Sequence, residues 1–158
     1  MFWRLIKTAI FTGVAPGTIG VLLPQVLKKD AVWRWNSVSM LGFVLIVLGA
    51  AVYLWCAWDF ATKGLGTPAP VDAPRVLVVK GLYRFTRNPM YVGVSSLILG
   101  QALAYTSSSI AVYLLCVVGG FNLFVWLYEE PTLRRLFGEQ YEDYCRKVPR
   151  WIFPFPGA

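Results

Sequence analysis

Four stretches of this sequence stay apolar for close to the roughly 20 residues that an α-helix needs to cross a bilayer core. They run from about Leu5 to Leu27, Val38 to Ala61, Pro89 to Tyr105 and Ile110 to Tyr128. A chain in hydrocarbon must satisfy its own backbone hydrogen bonds, so runs of this length specify helices. Composition agrees, at 57% hydrophobic and 15% charged residues, where soluble domains average about 45–50% and about 25%. The predicted fold is a single all-α membrane domain over residues 1–158, with about four transmembrane helices. The first run is interrupted by Pro16, Pro24 and several glycines. Its basic start at Arg4 and Lys7 resembles a signal peptide, but no small-x-small cleavage site follows, so it is expected to be retained.

Composition also excludes chemistry. The 158 residues include no His, which rules out Ser-His-Asp and Cys-His catalysis and His-ligated haem or zinc. Cys56 and Cys116 lie in apolar runs and Cys145 in a polar tail, with no C-x-x-C spacing. They read as small hydrophobes rather than metal ligands or a redox pair. A net charge of +7 in so apolar a chain points to anionic lipid headgroups, not to nucleic acid.

Lys and Arg divide unevenly between the two ends of the spans. Twelve fall on the side of the N-terminus, the 62–88 segment and the tail, against Lys28, Lys29 and Arg34 on the other. The first side is therefore expected to be cytoplasmic. Only Thr106 to Ser109 join the third and fourth runs, which predicts a tight hairpin. Beyond Tyr128, Leu133, Leu136, Phe137, Tyr141, Tyr144 and Val148 recur at three- and four-residue intervals. That spacing predicts an amphipathic interfacial helix starting at Pro131, with Glu142–Arg146 and Asp143–Lys147 as i, i+4 pairs.

The hairpin brings the start of the third run beside the end of the fourth, so the polar residues there define a candidate site. Arg87-Asn88-Pro89 reads as a helix start, Asn capping and Pro at the first position. The same groups suit a carboxylate held at a helix N-terminus. Glu129 and Glu130 favour the start of the following helix, or accept hydrogen bonds from a ligand hydroxyl or ammonium. Tyr83, Tyr91 and Tyr128 are belt residues or faces for a cationic centre. The stiff PAPVDAP run, residues 68–74, is a linker or a lid. Anion-binding groups, carboxylates and aromatic faces together suit a zwitterionic cofactor with a positive centre.

The strings GLYRFTRNPMYVG and YEEPTLRRLFGEQYEDYCRKVPRW resemble the isoprenylcysteine carboxyl methyltransferase and phospholipid methyltransferase superfamily of integral membrane enzymes. The resemblance covers roughly Gly64 to Trp151. It implies S-adenosylmethionine bound at the cytoplasmic face by Tyr83, Arg87, Asn88, Pro89, Tyr91 and Glu129, with Glu130 beside it. Gly64-x-Gly66 looks like the short glycine motif of the phospholipid branch. Asn88 stands where the family often has His; it cannot titrate near neutrality, so it is expected to position rather than act as a base. No residue is assigned a catalytic role. The isoprenylcysteine enzymes carry an Arg shortly before the acid pair, where this chain has Phe124-Val125-Trp126-Leu127. That argues against a prenylcysteine carboxylate as acceptor, with Arg150 as the one compensating charge nearby.

The resemblance thus implies a multi-pass methyltransferase of a bacterial inner membrane with its active site on the cytoplasmic side. Its partners would be the bilayer and a lipophilic acceptor: a lipid amine, an isoprenoid carboxylate or a thiol. Two rivals are a small four-span transporter and a non-catalytic scaffold. A transporter needs an ionisable group deep in a span, whereas Asp59, Glu129 and Glu130 lie at span ends. An intact donor-site motif disfavours the scaffold.

Overall fold

The structure is a computed structural model that describes residues 2–28, 31–63 and 76–151. Gly64, Gly66 and the PAPVDAP run lie outside the described residues. The described chain is all-α: α1 (Phe2–Gly17), a π-helical turn (Thr18–Leu22), α2 (Leu23–Leu27), α3 (Ser37–Lys63), a 3₁₀ turn (Gly81–Arg84) and α4 (Pro89–Ala104). There follow α5 (Ser108–Phe124), a second π-helical turn (Val125–Glu129), α6 (Glu130–Phe137) and α7 (Glu139–Lys147). Ala9–Leu27, Ser37–Phe60 and Ser108–Phe137 are long and apolar enough to cross a membrane, while Pro89–Ala104 is apolar but shorter.

Both wide turns have the same cause. Each ends two residues before a proline, Pro24 or Pro131. A proline ring clashes with the carbonyl four residues back and brings no N–H. Widening the turn removes the clash: Leu23 N–H reaches Thr18 O, and Glu130 N–H reaches Val125 O, each five residues back. The first apolar run is thereby one continuous helix from Phe2 to Leu27 despite its prolines. The carbonyls that Pro24 leaves without an amide donor are met by side chains. Gln101 Nε2 donates to Gly20 O at 2.6 Å, and Tyr113 OH to Ile19 O at 2.9 Å. Gln25 Nε2 in turn donates to Gln101 Oε1 at 3.0 Å.

This arrangement makes a prediction. Gln101→Leu should destabilise by about 1–3 kcal/mol, because it strands the Gly20 carbonyl and the Gln25 amide. Adding Pro24→Ala restores a backbone N–H and should recover part of the loss. Thermal unfolding in detergent reads both variants; a double variant no better than the single would refute the assignment.

The tightest pairing among the described residues is α3 against α4. Two glycines on each helix, seven residues apart, let the antiparallel backbones touch. A Cβ on Gly42 would lie 2.5 Å from Gly100 O, and one on Gly49 2.6 Å from Gly93 O. At the hairpin, Ser107 N–H bonds Ala102 O and Thr106 N–H bonds Leu103 O, with Thr106 at φ +50°. This is a Schellman ending with threonine in place of the usual glycine. Ser107 Oγ then accepts from Ile110 N–H to start α5.

The amphipathic segment departs from the sequence expectation. Pro131 does not begin a separate helix, because the wide turn carries α5 straight into α6. The break comes at Gly138, whose φ of +50° and ψ of −125° are open to glycine. Leu133, Phe137, Tyr141, Tyr144 and Val148 still converge, around Leu77, but Leu136 is exposed. The predicted i, i+4 ion pairs are replaced. Glu142 takes Arg134 across the Gly138 turn at 2.7 Å, and Asp143 takes Arg146.

Candidate functional site

The start of α4 and the second wide turn meet as the hairpin requires. Tyr91 OH donates to Glu129 Oε2 at 2.9 Å, joining one end of the hairpin to the other. The wide turn matters to this geometry. Five residues of a regular α-helix rotate a side chain by about 140° from its starting face, yet Val125 and Glu130 are both fully buried.

The two acids have different surroundings. Glu130 is 2% exposed and lies among three guanidinium groups. Arg150 meets it with two nitrogens, at 2.7 and 3.0 Å, Arg87 Nη1 lies at 3.2 Å and Arg134 Nη1 at 3.6 Å. A buried carboxylate so matched is an anchor, held by partners that would be stranded without it. Glu129 has no guanidinium partner among the described residues; its polar contact is the Tyr91 phenol.

The capping expectation for Asn88 is corrected. Its side chain makes no bond to the start of α4. Instead Asn88 Nδ2 and Thr86 Oγ1 both donate to Arg150 O at 3.0 Å, and Arg87 N–H donates to Pro149 O at 3.0 Å. The segment after α7 is thus strapped across the Arg87–Pro89 turn, and Trp151 Nε1 ties it to Asn122 on α5 at 2.9 Å. Arg150 and Arg87 thus share the Glu130 carboxylate. Arg87 also reaches Cys145 Sγ at 2.7 Å through Nη1, while its Nε is buried without a partner.

Tyr83 sits in the 3₁₀ turn, buried, with its ring 5.6 Å from that of Phe60. Its carbonyl accepts from Tyr144 OH at 2.7 Å. Burial pushes the Tyr83 and Tyr144 phenols well above their usual range, so that donor stays protonated in any neutral medium. Pro89 is buried at the first turn of α4. The part played by Tyr141, Tyr144, Thr86 and Arg150 was not read from the sequence beyond the apolar stripe. Polar residues on that stripe's own face, Tyr141 and Tyr144, were the available signal.

A cavity of about 350 Å³ joins these groups, within the roughly 300–1,000 Å³ typical of small-molecule sites. Arg87, Asn88, Tyr91, Glu129, Glu130 and Tyr144 line its polar end. Its apolar lining includes Phe11, Pro16, Ile19, Tyr53, Val94 and Phe121. Tyr91 and Phe121 pack with ring centroids 4.6 Å apart, and Phe124 and Tyr128 stack at 5.2 Å. One cavity therefore offers a carboxylate, a guanidinium, aromatic faces and apolar walls.

The sequence pattern of the phospholipid methyltransferase family matches residues 38–140. The chain belongs to this family. The match takes in α3 to α6, and with them Tyr91, Glu129 and Glu130, but not α1. Over 79 residues the chain is 33% identical to protein-S-isoprenylcysteine O-methyltransferase B of Arabidopsis thaliana, a stretch covering 50% of this chain and 40% of that protein. The chain thus spans well under half the length of this relative. No solved structure matches it. Gly64 and Gly66 fall within the matched residues.

Proposed function

We propose that the protein is an integral membrane methyltransferase that uses S-adenosylmethionine to methylate a lipophilic acceptor. The observation that carries this reading is the cavity lined both by Glu129, which Tyr91 hydrogen-bonds, and by apolar side chains. The donor set fits a zwitterion with a positive centre. Glu129 supplies the negative charge for an ammonium or hydroxyl, the buried Arg87 a positive one for a carboxylate, and Tyr83 and Tyr91 aromatic faces for a cation. Asn88, Pro89 and Glu130 shape the turn on which those groups stand, and Gly64 and Gly66 are proposed to contribute to cofactor binding. The bound cofactor would supply an already activated methyl group, so the protein needs neither a metal nor a strong acid. The chain's own tasks are to align the acceptor and exclude water.

The acceptor proposed is a lipid amine or a lipophilic thiol. The isoprenylcysteine enzymes carry an Arg shortly before the acid pair, whereas residues 124–127 of this chain are apolar. The polar end of the cavity is proposed to face the cytoplasm, on the side richer in Lys and Arg. Equilibrium binding of S-adenosylmethionine to the purified full chain tests the reading, since neither a transporter nor a scaffold would bind it. Labelled methyl should then appear in extracted lipids. Absence of binding, or saturable methylation of prenylcysteine analogues alone, would overturn respectively the function and the acceptor.

A further inference from the structure

Arg87 lines the cavity with part of its guanidinium uncommitted. Among the described residues its side-chain contacts all run through Nη1: to Glu130 Oε1 at 3.2 Å, Cys145 Sγ at 2.7 Å and Tyr141 OH at 3.5 Å. Its Nε is buried without a partner, in a side chain only 10% exposed. The neighbouring Glu130 has two oxygens that could take two guanidinium nitrogens side by side, the stronger arrangement. Arg87 does not adopt it.

The reason is Arg150. Its Nε and Nη2 take Glu130 Oε1 and Oε2 at 2.7 and 3.0 Å, so Arg87 is left with one nitrogen on one oxygen. Arg134 does not fill this place, being 46% exposed, 3.6 Å from Glu130 and bonded to Glu142 at 2.7 Å. Arg150 is not among the residues that line the cavity, whereas Arg87, Asn88 and Glu130 are. Its own position is fixed by the strap: Thr86 and Asn88 donate to its carbonyl, and Trp151 Nε1 ties the next residue to Asn122. A charge balance follows. With Arg150 on Glu130 the two cancel, and Arg87 keeps its positive charge for the cavity. Without Arg150, Glu130 would neutralise Arg87 and leave the cavity with the charge of Glu129.

We propose that Arg150 is a positioning residue: by occupying Glu130 it keeps Arg87 open to the carboxylate of a zwitterionic ligand. This rests on the cavity being the S-adenosylmethionine site proposed above.

The test compares S-adenosylmethionine with decarboxylated S-adenosylmethionine, which lacks the carboxylate, by equilibrium binding to the full chain in detergent. Arg150→Gln should weaken S-adenosylmethionine about 10–100-fold, the range of hydrogen bonds to a charged group, and leave the decarboxylated compound unchanged. Arg150→Lys keeps the charge without the fork, so its loss should fall between wild type and Arg150→Gln. Trp151→Phe frees the tether to Asn122 and should show the same selective loss in smaller measure. Thermal unfolding establishes that each variant folds; if Arg150→Gln does not, the other two carry the comparison. Where the chain turns over, the loss should appear in the KM for the cofactor and not in kcat. An equal loss for both compounds, or no loss for either, overturns the proposal.

A second readout needs no ligand. Exchange of the Arg87 guanidinium protons with water is followed by ¹⁵N NMR and assigned by its disappearance in Arg87→Lys. It should slow about tenfold in Arg150→Gln, because Arg87 then closes on Glu130 with two nitrogens. A strap that merely loosened would speed it, and faster exchange would refute the role of Arg150. Failure of the wild type to bind either compound would count against the proposed function, while the exchange rate still judges Arg150.

Discussion

Replacing Glu130 with alanine is expected to cost about 3–5 kcal/mol of stability, the usual loss when one partner of a buried ion pair is removed. Arg87, whose side chain is 10% exposed, would be left without its carboxylate, and Arg150 would lose both of its bonds to the acid. The strap over the Arg87–Pro89 turn should loosen with it. Replacing the neighbouring Glu129 is expected to do something different. It removes a hydrogen bond from Tyr91 and no ion pair, so the protein should fold and remain extractable. Its affinity for S-adenosylmethionine should fall about 10–100-fold, the loss of a charge-assisted hydrogen bond. Thermal unfolding and cofactor titration of the two variants measure the contrast. Unchanged affinity in Glu129→Ala would assign that acid to structure, and wild-type stability in Glu130→Ala would refute the anchor.

The second large effect is expected at the α3–α4 contact. In Gly100→Val the new Cβ would sit 2.5 Å from Gly42 O and 2.8 Å from Ile46 N. Both are backbone atoms of a helix, so no side chain can swing aside and the helices must part. The expected cost is about 3 kcal/mol, at the upper end for overpacking. Because α4 also carries Tyr91, the proposed ligand site should weaken along with the fold. Gly119 is the matched control. A Cβ there meets nothing within 4 Å, and Gly119→Ala should be neutral or gain up to about 1 kcal/mol from helix propensity. Similar melting temperatures for the two variants would show that the close approach does not hold α3 and α4 together.

Much of this was written in local sequence. Apolar run length dictated the helices, since hydrocarbon forbids an unsatisfied backbone. The four-residue link dictated the hairpin, and so the meeting of Tyr91 with Glu129. What local sequence could not decide is which groups would become partners. Glu129 and Glu130 are chemically alike and adjacent. One became an anchor among guanidinium groups and the other a carboxylate bonded by the Tyr91 phenol, because the wide turn before Pro131 turned Glu130 inward, toward Arg87 and Arg150, 43 and 20 residues away along the chain. Asn88 had the sequence of a cap, yet the arrival of the Pro149–Arg150 backbone offered its amide a better acceptor. The prolines looked like interruptions because their effect on a helix depends on whether the freed carbonyls find donors. Gln101 and Tyr113 supply those donors from other helices, and only the packed bundle brings them there.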